Sequence, residues 1–105
     1  MRGDLVTVAL PGDYGKPRPA LVIQSDDVVG PSTTVLLLTS DITNAPFVRL
    51  WIDPKPSNGL RKTSQVMIDK AMTVRNEKVG PVFGRLGDQD MTRINRAIVL
   101  FFGLG

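Results

Sequence analysis

The sequence predicts a mainly β fold: a small barrel-like sheet capped by one C-terminal helix. Short runs rich in β-branched and apolar residues recur along most of the chain. They are separated by clusters of Gly, Pro, Asn and Asp, as in the turn-rich loop at residues 11–15, which is the pattern of strands joined by turns. Helical spacing of apolar residues is confined to the last stretch, after residue 88.

Six runs have the composition of strands, at residues 4–10, 20–24, 33–39, 47–52, 64–73 and 79–86. The third, TTVLLLT, fits a central strand buried on both faces. The fourth alternates apolar Phe47, Leu50 and Trp51 with Arg49, and Trp51 is expected in the core or in an interface. The fifth contains residues that a helix tolerates, but its flanking turns favour a strand with a bend near Lys70.

The last element is predicted to be a helix over residues 89–102. Asp88 is expected to cap its start, and Asp90 lies in the first turn, where the helix dipole favours an acid. Gly103 is a natural end. The apolar positions, whose aromatic members are expected to pack rather than to stack on bases, are Met91, Ile94, Ala97, Ile98, Phe101 and Phe102.

Composition limits the class of protein. The 105 residues fit one domain, 1–105, and 42% hydrophobic with 22% charged residues are ordinary for a globular chain. No apolar run reaches the roughly 18 residues of a membrane span, so no membrane partner is expected. The N-terminus, MRGDLVTV, lacks the layout of a signal peptide, and a cytoplasmic location is therefore predicted.

The chain has no cysteine and no histidine, which excludes disulfides, thiol nucleophiles and the usual zinc sites. It also lacks the commonest general base near neutral pH. Catalysis would have to use Arg, Lys, Asp, Glu, Ser, Thr or Tyr. The net charge of +3 and pI near 9.7 are compatible with a nucleic-acid partner without requiring one.

The stretch KPRPALVIQSD, residues 16–26, holds Arg18 between two prolines at the start of the second predicted strand. Each proline fixes its own φ, and Pro19 also keeps Arg18 extended. A guanidinium is a planar fork of donors that stays charged at any working pH, so an arginine held stiffly at a strand mouth suits a phosphate. The alternative is a loop arginine whose prolines merely end a turn.

Four stretches form a set along the chain: RGD at 2–4, RPALVIQSD at 18–26, LTS at 38–40, and the segment 59–74 with its GL, SQVMIDK and TV. Together they resemble the MazF/PemK family of toxin endoribonucleases. The resemblance covers nearly the whole chain, and RGD and RPALVI are its most specific parts.

The resemblance implies an SH3-like β barrel of the CcdB/MazF type with a terminal helix, assembled as a homodimer. It implies metal-independent cleavage of single-stranded RNA at short sequences, with no cofactor, and neutralisation by a cognate antitoxin protein. The arginine of the family's RP motif falls on Arg18, the threonine ending its third strand on Thr39, and its fifth-strand acid on Asp69. These are the expected catalytic residues. The expected RNA-binding residues are Lys16, Ser40 and Lys70.

Three features depart from the family's pattern. The loop over residues 11–17 is several residues shorter than is common, which affects sequence preference because this loop usually touches RNA. Lys70 stands where the family often has glutamine. Met67 stands where some members have a catalytic arginine two residues before the acid.

The chemistry is consistent with these residues, because RNA carries its own nucleophile in the 2′-hydroxyl. An enzyme cleaves it by placing that oxygen in line and stabilising the phosphorane charge, which suits Arg18. Arginine is a poor base, so Asp69 is the candidate base or the residue that orients Arg18. In the alternative interpretations, Thr39 simply ends a strand, and Asp69 is a surface carboxylate paired with Lys70 or Arg75.

Two other functions remain open. A CcdB-like gyrase poison shares this fold, but its activity resides in an ending of the Trp-Gly-Ile type, and this chain ends FFGLG. A noncatalytic nucleic-acid-binding or protein-binding module is the other, because SH3-like barrels host many binders.

Overall fold

The computed structural model describes residues 1–12 and 16–105, and in this part of the chain it has six strands and one α-helix. A short 3₁₀ turn, Asn76–Lys78, joins the last two strands. The elements are β1 Asp4–Ala9, β2 Pro17–Val22, β3 Ser32–Thr39, β4 Arg49–Ile52, β5 Ser64–Arg75, β6 Val79–Arg85 and α1 Asp88–Phe102. The predicted loop at 11–15 falls partly on residues 13–15, which lie outside the described residues.

The strands form a single antiparallel sheet in the order β4-β5-β3-β2-β1-β6. Most sequential strands are neighbours, as short turns require. Two sequential pairs are exceptions: β5 lies between β3 and β4, and β6 lies at the other edge of the sheet, beside β1. Strands β3 and β2 therefore lie at the centre, as the apolar run of β3 predicted.

Strand β5 bends where the sequence predicted a bend. Between two paired positions β3 advances by two residues, Leu36 to Leu38, while β5 covers five, from Ala71 to Val66. The surplus residues of β5, 67–70, fall outside the β3 register, and Met67, the first of them, pairs with Arg49 of β4. Such irregularities turn a strand and aim side chains locally.

The sheet buries side chains on both faces. The helix packs on one face, and the cluster there contains Leu5, Leu21, Leu36, Leu38, Ile52, Val66, Ile68, Leu86, Ile94 and Ala97. The opposite face, which we call the distal face, has its own cluster of Val6, Val8, Ala20, Val22, Val35 and Val74. Because side chains alternate along a strand, each central strand contributes to both clusters.

The helix begins one residue earlier than predicted. Gly87, in extended backbone, occupies the capping position, and no described side chain caps the helix. Asp88 is therefore inside the first turn with Asp90, and its carbonyl accepts a hydrogen bond from the Thr92 hydroxyl. Gly103 ends the helix with φ of 70°, as predicted, since this left-handed conformation costs glycine little.

Several apolar residues are more exposed than the sequence predicted. Phe47 precedes β4 in a turn and is 82% exposed. Trp51 is 51% exposed and so is not in the core of this chain. Phe101 and Phe102 are about half exposed and contact each other edge to face, with centroids 5.1 Å apart. They follow the last buried turn of the helix. The helix, the only α-helix in the described ranges, lacks the length and hydropathy needed to cross a membrane.

Asp4 ties the first strand to the last. It lies opposite Arg85, whose Nη1 donates to its Oδ1 at 2.7 Å, and the terminal amine of Met1 donates to its Oδ2 at 2.8 Å. Burial raises the pKa of the Asp4 carboxyl, but the hydrogen bonds from the terminal amine and Arg85 lower it by more, so it lies below its ordinary value of 3.8.

A lowered pKa means that this carboxylate stabilises the fold above its unfolded pKa and loses that contribution as pH falls through its folded value. We expect Asp4→Asn to be less stable than the unchanged protein near neutral pH, and the difference to shrink below about pH 4. Urea unfolding from about pH 7 down to about pH 2.5 measures it. A difference that stays constant over this range would contradict the assignment.

Candidate functional site

Arg18 is the second residue of strand β2, which begins three residues before the predicted strand at 20–24. The strand begins at Pro17, and Arg18 is opposite Val8 of β1. Both prolines are tolerated because β2 pairs with β3 only from Ala20 onward, so their missing donors fall where the strand has a single neighbour. Arg18 is exposed and, by alternation with buried Ala20, is on the distal face. Lys16, directly before the strand, is exposed as well.

Thr39 is the last residue of β3 and is half-buried. Ala20 pairs with Leu37, so two residues further along, Arg18 and Thr39 lie at the same end of neighbouring strands and on the same face. The Thr39 hydroxyl accepts a hydrogen bond from the Asp41 backbone N–H at 3.0 Å, which begins the following loop. Ser40 is exposed beside it.

Asp69 lies in the irregular segment of β5, and its ion-pair partner is Arg49 of β4. Arg49 Nη2 donates to Asp69 Oδ2 at 3.1 Å, and only 17% of the Arg49 side chain and 28% of the Asp69 side chain are exposed. The sequence suggested Lys70 or Arg75 as partners, and both proposals were wrong. Lys70 is exposed next to the pair.

The sequence analysis did not identify Arg49 as a site residue. The sequence did contain a signal for Arg49, because this residue is the one charged position in the apolar run at residues 47–52. Val48 and Leu50 pack on the helix-side cluster, and this places Arg49 on the distal face. What the sequence does not reveal is that β4 would pair with β5 in the register that sets Arg49 opposite Met67.

Gln65 is a second residue that the sequence analysis missed. It lies opposite Thr39 on β5 and is fully buried. Its Nε2 donates to the Thr43 carbonyl at 2.9 Å, and its Oε1 accepts from the Thr43 N–H at 3.1 Å. This pair of bonds fixes the loop after β3 beside Thr39.

The structure thus places two groups of polar side chains on the distal face. Arg18 and Thr39 lie on β2 and β3, and the Arg49–Asp69 pair lies on the next two strands of the sheet. A cation, a hydroxyl and a carboxylate on one surface suit a substrate that carries a phosphate and a proton to be removed.

The chain is similar to known proteins over its full length. The family described as PemK-like, MazF-like toxin of type II toxin–antitoxin system matches residues 1–102. A probable endoribonuclease MazF of Mycolicibacterium smegmatis is 45% identical over 106 residues, which cover 98% of this chain and 96% of that protein.

Solved structures share the fold at lower identity. The Mycobacterium tuberculosis toxin MazF-mt6 has a TM-score of 0.83 at 23% identity, covering 97% of this chain and 98% of its own. A mycobacterial endoribonuclease in complex with its cognate antitoxin has a TM-score of 0.81 at 22% identity, covering 100% and 96%. MazF in a MazE–MazF complex from Deinococcus radiodurans has a TM-score of 0.80 at 18% identity, covering 99% and 95%. These likenesses confirm the predicted SH3-like barrel with a C-terminal helix.

The Gln65 contacts give a prediction about the loop beside Thr39. Gln65→Leu keeps a similar volume but removes both hydrogen bonds to the exposed Thr43 backbone, each worth about 0.5–1.5 kcal/mol. We expect lower stability in urea and faster hydrogen exchange at the Thr43 amide. Gln89→Leu, on the exposed first turn of the helix, is the matched control. Unchanged exchange at Thr43 in Gln65→Leu would show that the loop is held by other contacts.

Proposed function

Because the chain belongs to the PemK-like, MazF-like toxin family of type II toxin–antitoxin systems, we propose that it is a toxin endoribonuclease. Its substrate is single-stranded RNA, cut at short sequences by attack of the RNA's own 2′-hydroxyl, with residues 1–105 acting as one domain in the cytoplasm. The observation that carries this proposal is the placement of Arg18 and Thr39 at one end of neighbouring strands, on the same face.

The reaction is a phosphoryl transfer within the RNA, from the 5′-oxygen to the 2′-oxygen. The 2′-oxygen forms a bond to phosphorus, the bond from phosphorus to the 5′-oxygen breaks, and the products are a 2′,3′-cyclic phosphate and a 5′-hydroxyl. The proton of the 2′-hydroxyl passes to a base, for which Asp69 is the candidate, and the leaving 5′-oxygen takes a proton from water. The protein's task is positioning and charge stabilisation.

Arg18 is assigned to the phosphorane charge. Its guanidinium donates two parallel hydrogen bonds to phosphate oxygens, and the flanking prolines lower the entropy cost of holding the backbone that carries it. Thr39 bonds the phosphate or the 2′-hydroxyl. Lys16, Ser40 and Lys70 are exposed and are assigned to RNA binding.

A cavity suited to further nucleotides lies next to β1 and the far end of β5. Its volume is about 560 Å³, and it is lined by apolar Leu10, Met72 and Val74 and by basic Arg75 and Lys78. Apolar surface with nearby cations matches a single strand, which offers base faces and phosphates in alternation. We assign the cavity to the RNA path beyond the cleavage point.

The residue types support chemistry without a metal ion. The sequence contains no histidine or cysteine, and within residues 1–12 and 16–105 no three acidic residues converge into a metal-binding group. RNA supplies its own nucleophile, so the protein does not have to activate water.

The partners follow from the family. A mycobacterial endoribonuclease and a Deinococcus radiodurans MazF have been solved with antitoxins, and we infer a cognate antitoxin for this chain. We also infer a homodimer. The end of the helix exposes an apolar patch of Val99, Leu100, Phe101 and Phe102, and an 11.4 kDa chain gains stability by burying such a patch against a second copy.

Incubation of the purified protein with single-stranded RNA in EDTA tests the function. We expect cleavage to continue, with cyclic phosphate ends, because the nucleophile and the charged groups belong to RNA and protein. Activity that disappears in EDTA and returns with magnesium would contradict the metal-independent mechanism. Retention of RNA without cleavage would indicate a binding module, and trapping of gyrase would indicate the CcdB-like alternative.

Replacement of Arg18 tests its role. Arg18→Ala should remain folded, because the side chain is exposed, and should cut RNA on the order of a hundredfold more slowly, or about 3 kcal/mol. Arg18→Lys keeps the charge but loses the planar fork, and we expect it to be impaired as well. Thr39→Ala should reduce the cleavage rate by a smaller factor than Arg18→Ala, since it removes a hydrogen bond and no charge.

Single-turnover cleavage of a short RNA measures these rates, with circular dichroism as the folding control. Arg96→Ala, an exposed arginine on the helix, is the matched charge control. A folded Arg18→Ala that cuts within about threefold of the unchanged protein would place the principal catalytic group elsewhere.

Light scattering at micromolar concentration tests the homodimer. We expect a mass of twice the 11.4 kDa of one chain, and a shift toward the single-chain mass in Leu100→Glu, which places a charge in the apolar patch. An unchanged protein that is entirely monomeric under these conditions would refute the homodimer.

A further inference from the structure

The Arg49–Asp69 pair faces the same side of the sheet as the proposed cleavage site. Arg49 is opposite Met67, and Asp69 follows two residues later on the same face of β5. One row further along the strands, Gln65 lies opposite Thr39. The pair therefore lies on the same face as Thr39, on the two strands that follow β3 in the order of the sheet.

The Arg49 and Asp69 side chains share one hydrogen bond, and each side chain also has a buried polar atom without a partner among the described residues. Arg49 Nη2 reaches Asp69 Oδ2, but Arg49 Nε and Asp69 Oδ1 are buried and have no hydrogen-bond partner among the described residues. In a bidentate pair, a guanidinium and a carboxylate form two parallel N–H···O bonds, so that both carboxylate oxygens accept a hydrogen bond. The observed geometry leaves two buried polar groups unsatisfied, and each of them destabilises the folded state.

Stability alone does not account for such a pair. Replacing a buried ion pair by apolar residues of similar volume is often neutral or stabilising. Arg49 lies opposite Met67 and between the partly buried Val48 and Leu50, and an apolar side chain at this mostly buried position would remove the unpaired polar atoms. A costly, half-paired ion pair that faces a candidate site is typical of functional groups.

The geometry also limits how Asp69 meets a substrate. Its Oδ1 is buried, so the exposed part of the side chain comes from its other atoms, among which Oδ2 is the remaining acceptor. Arg49 fixes Oδ2 from one side, and a carboxylate oxygen has capacity for a second hydrogen bond. Asp69 therefore offers one oriented oxygen rather than two interchangeable ones.

We propose that Arg49 is a positioning residue of the cleavage site, which holds Asp69 so that Oδ2 receives the proton of the attacking 2′-hydroxyl. This inference rests on the proposed function, since it assigns a role within the same reaction. Arg49 acts through Asp69 and does not itself touch the RNA. Its effect is on the rate of cleavage and not on the affinity for RNA.

Five variants separate positioning from a structural role. Arg49→Met removes the guanidinium and keeps an apolar stem, Asp69→Asn removes the carboxylate charge, and a double variant carries both changes. Arg49→Lys retains a cation that can make one contact. Arg85→Met is the matched control, because Arg85 also pairs with an aspartate, Asp4, at the far edge of the sheet.

Three quantities are measured for each variant. These are the stability in urea, the single-turnover cleavage rate at saturating protein, and the dissociation constant for the same RNA with a 2′-deoxy nucleotide at the cut. We expect Arg49→Met and Asp69→Asn each to lose about a hundredfold in rate with little change in affinity. The double variant should lose no more than either single variant, because all three disable one step.

Stability and rate should separate in the double variant. Arg49→Met leaves a charged carboxylate partly buried without its partner and is destabilised, whereas the double variant removes both charges and regains stability. Its cleavage rate should nevertheless remain about a hundredfold low. Arg49→Lys should recover about tenfold over Arg49→Met, and Arg85→Met should cut within about threefold of the unchanged protein.

Each remaining outcome overturns the inference. A double variant that cleaves nearly as fast as the unchanged protein shows that the pair is structural. A slow Asp69→Asn beside a fast Arg49→Met shows that Asp69 works without Arg49. A loss of affinity at unchanged rate makes Arg49 an RNA-binding cation. If neither the unchanged protein nor Arg85→Met cleaves RNA, the proposed function itself fails, and the inference fails with it.

Discussion

The irregular pairing between β3 and β5 is the constraint on which the candidate site depends. Strand β5 covers five residues while β3 advances by two, and its early residues Gln65 and Val66 pair with β3 on one side and with β4 on the other. Asp69 lies in this irregular segment on the distal face, and Arg49 of β4 is within ion-pair distance of it.

The larger hydrophobic core and the candidate site lie on opposite faces of the sheet. The helix and the larger apolar cluster are on one face, so the ends of β2 and β3 on the other are free to present polar groups. Arg18 and Thr39 lie there because side chains alternate along their strands. Gln65 fixes the loop after β3 through its two hydrogen bonds to Thr43. The polar groups of the site are thus carried by strands, whose register holds them more firmly than loops would.

Much of the fold could be predicted from the sequence because its signals are local. Turn residues bound the strands, and helical spacing marks α1. Arg18, Thr39 and Asp69 came from the family resemblance, and their roles stay predictions. The partner of Asp69 could not be predicted, because the register between β4 and β5 depends on tertiary contacts and cannot be read from local composition. The same is true of Gln65, whose buried amide bonds a residue 22 positions away.

The placement of RNA on the distal face is tested most directly by amide chemical-shift mapping with an uncleavable RNA that carries a 2′-deoxy nucleotide at the cut. We expect the largest shifts at the ends of β2 and β3 and in the bend of β5, around Arg18, Ser40 and Lys70. Shifts confined to α1 and β6, with the distal face unchanged, would show that RNA binds elsewhere and that the cluster of Arg18, Thr39 and Asp69 is not the active site.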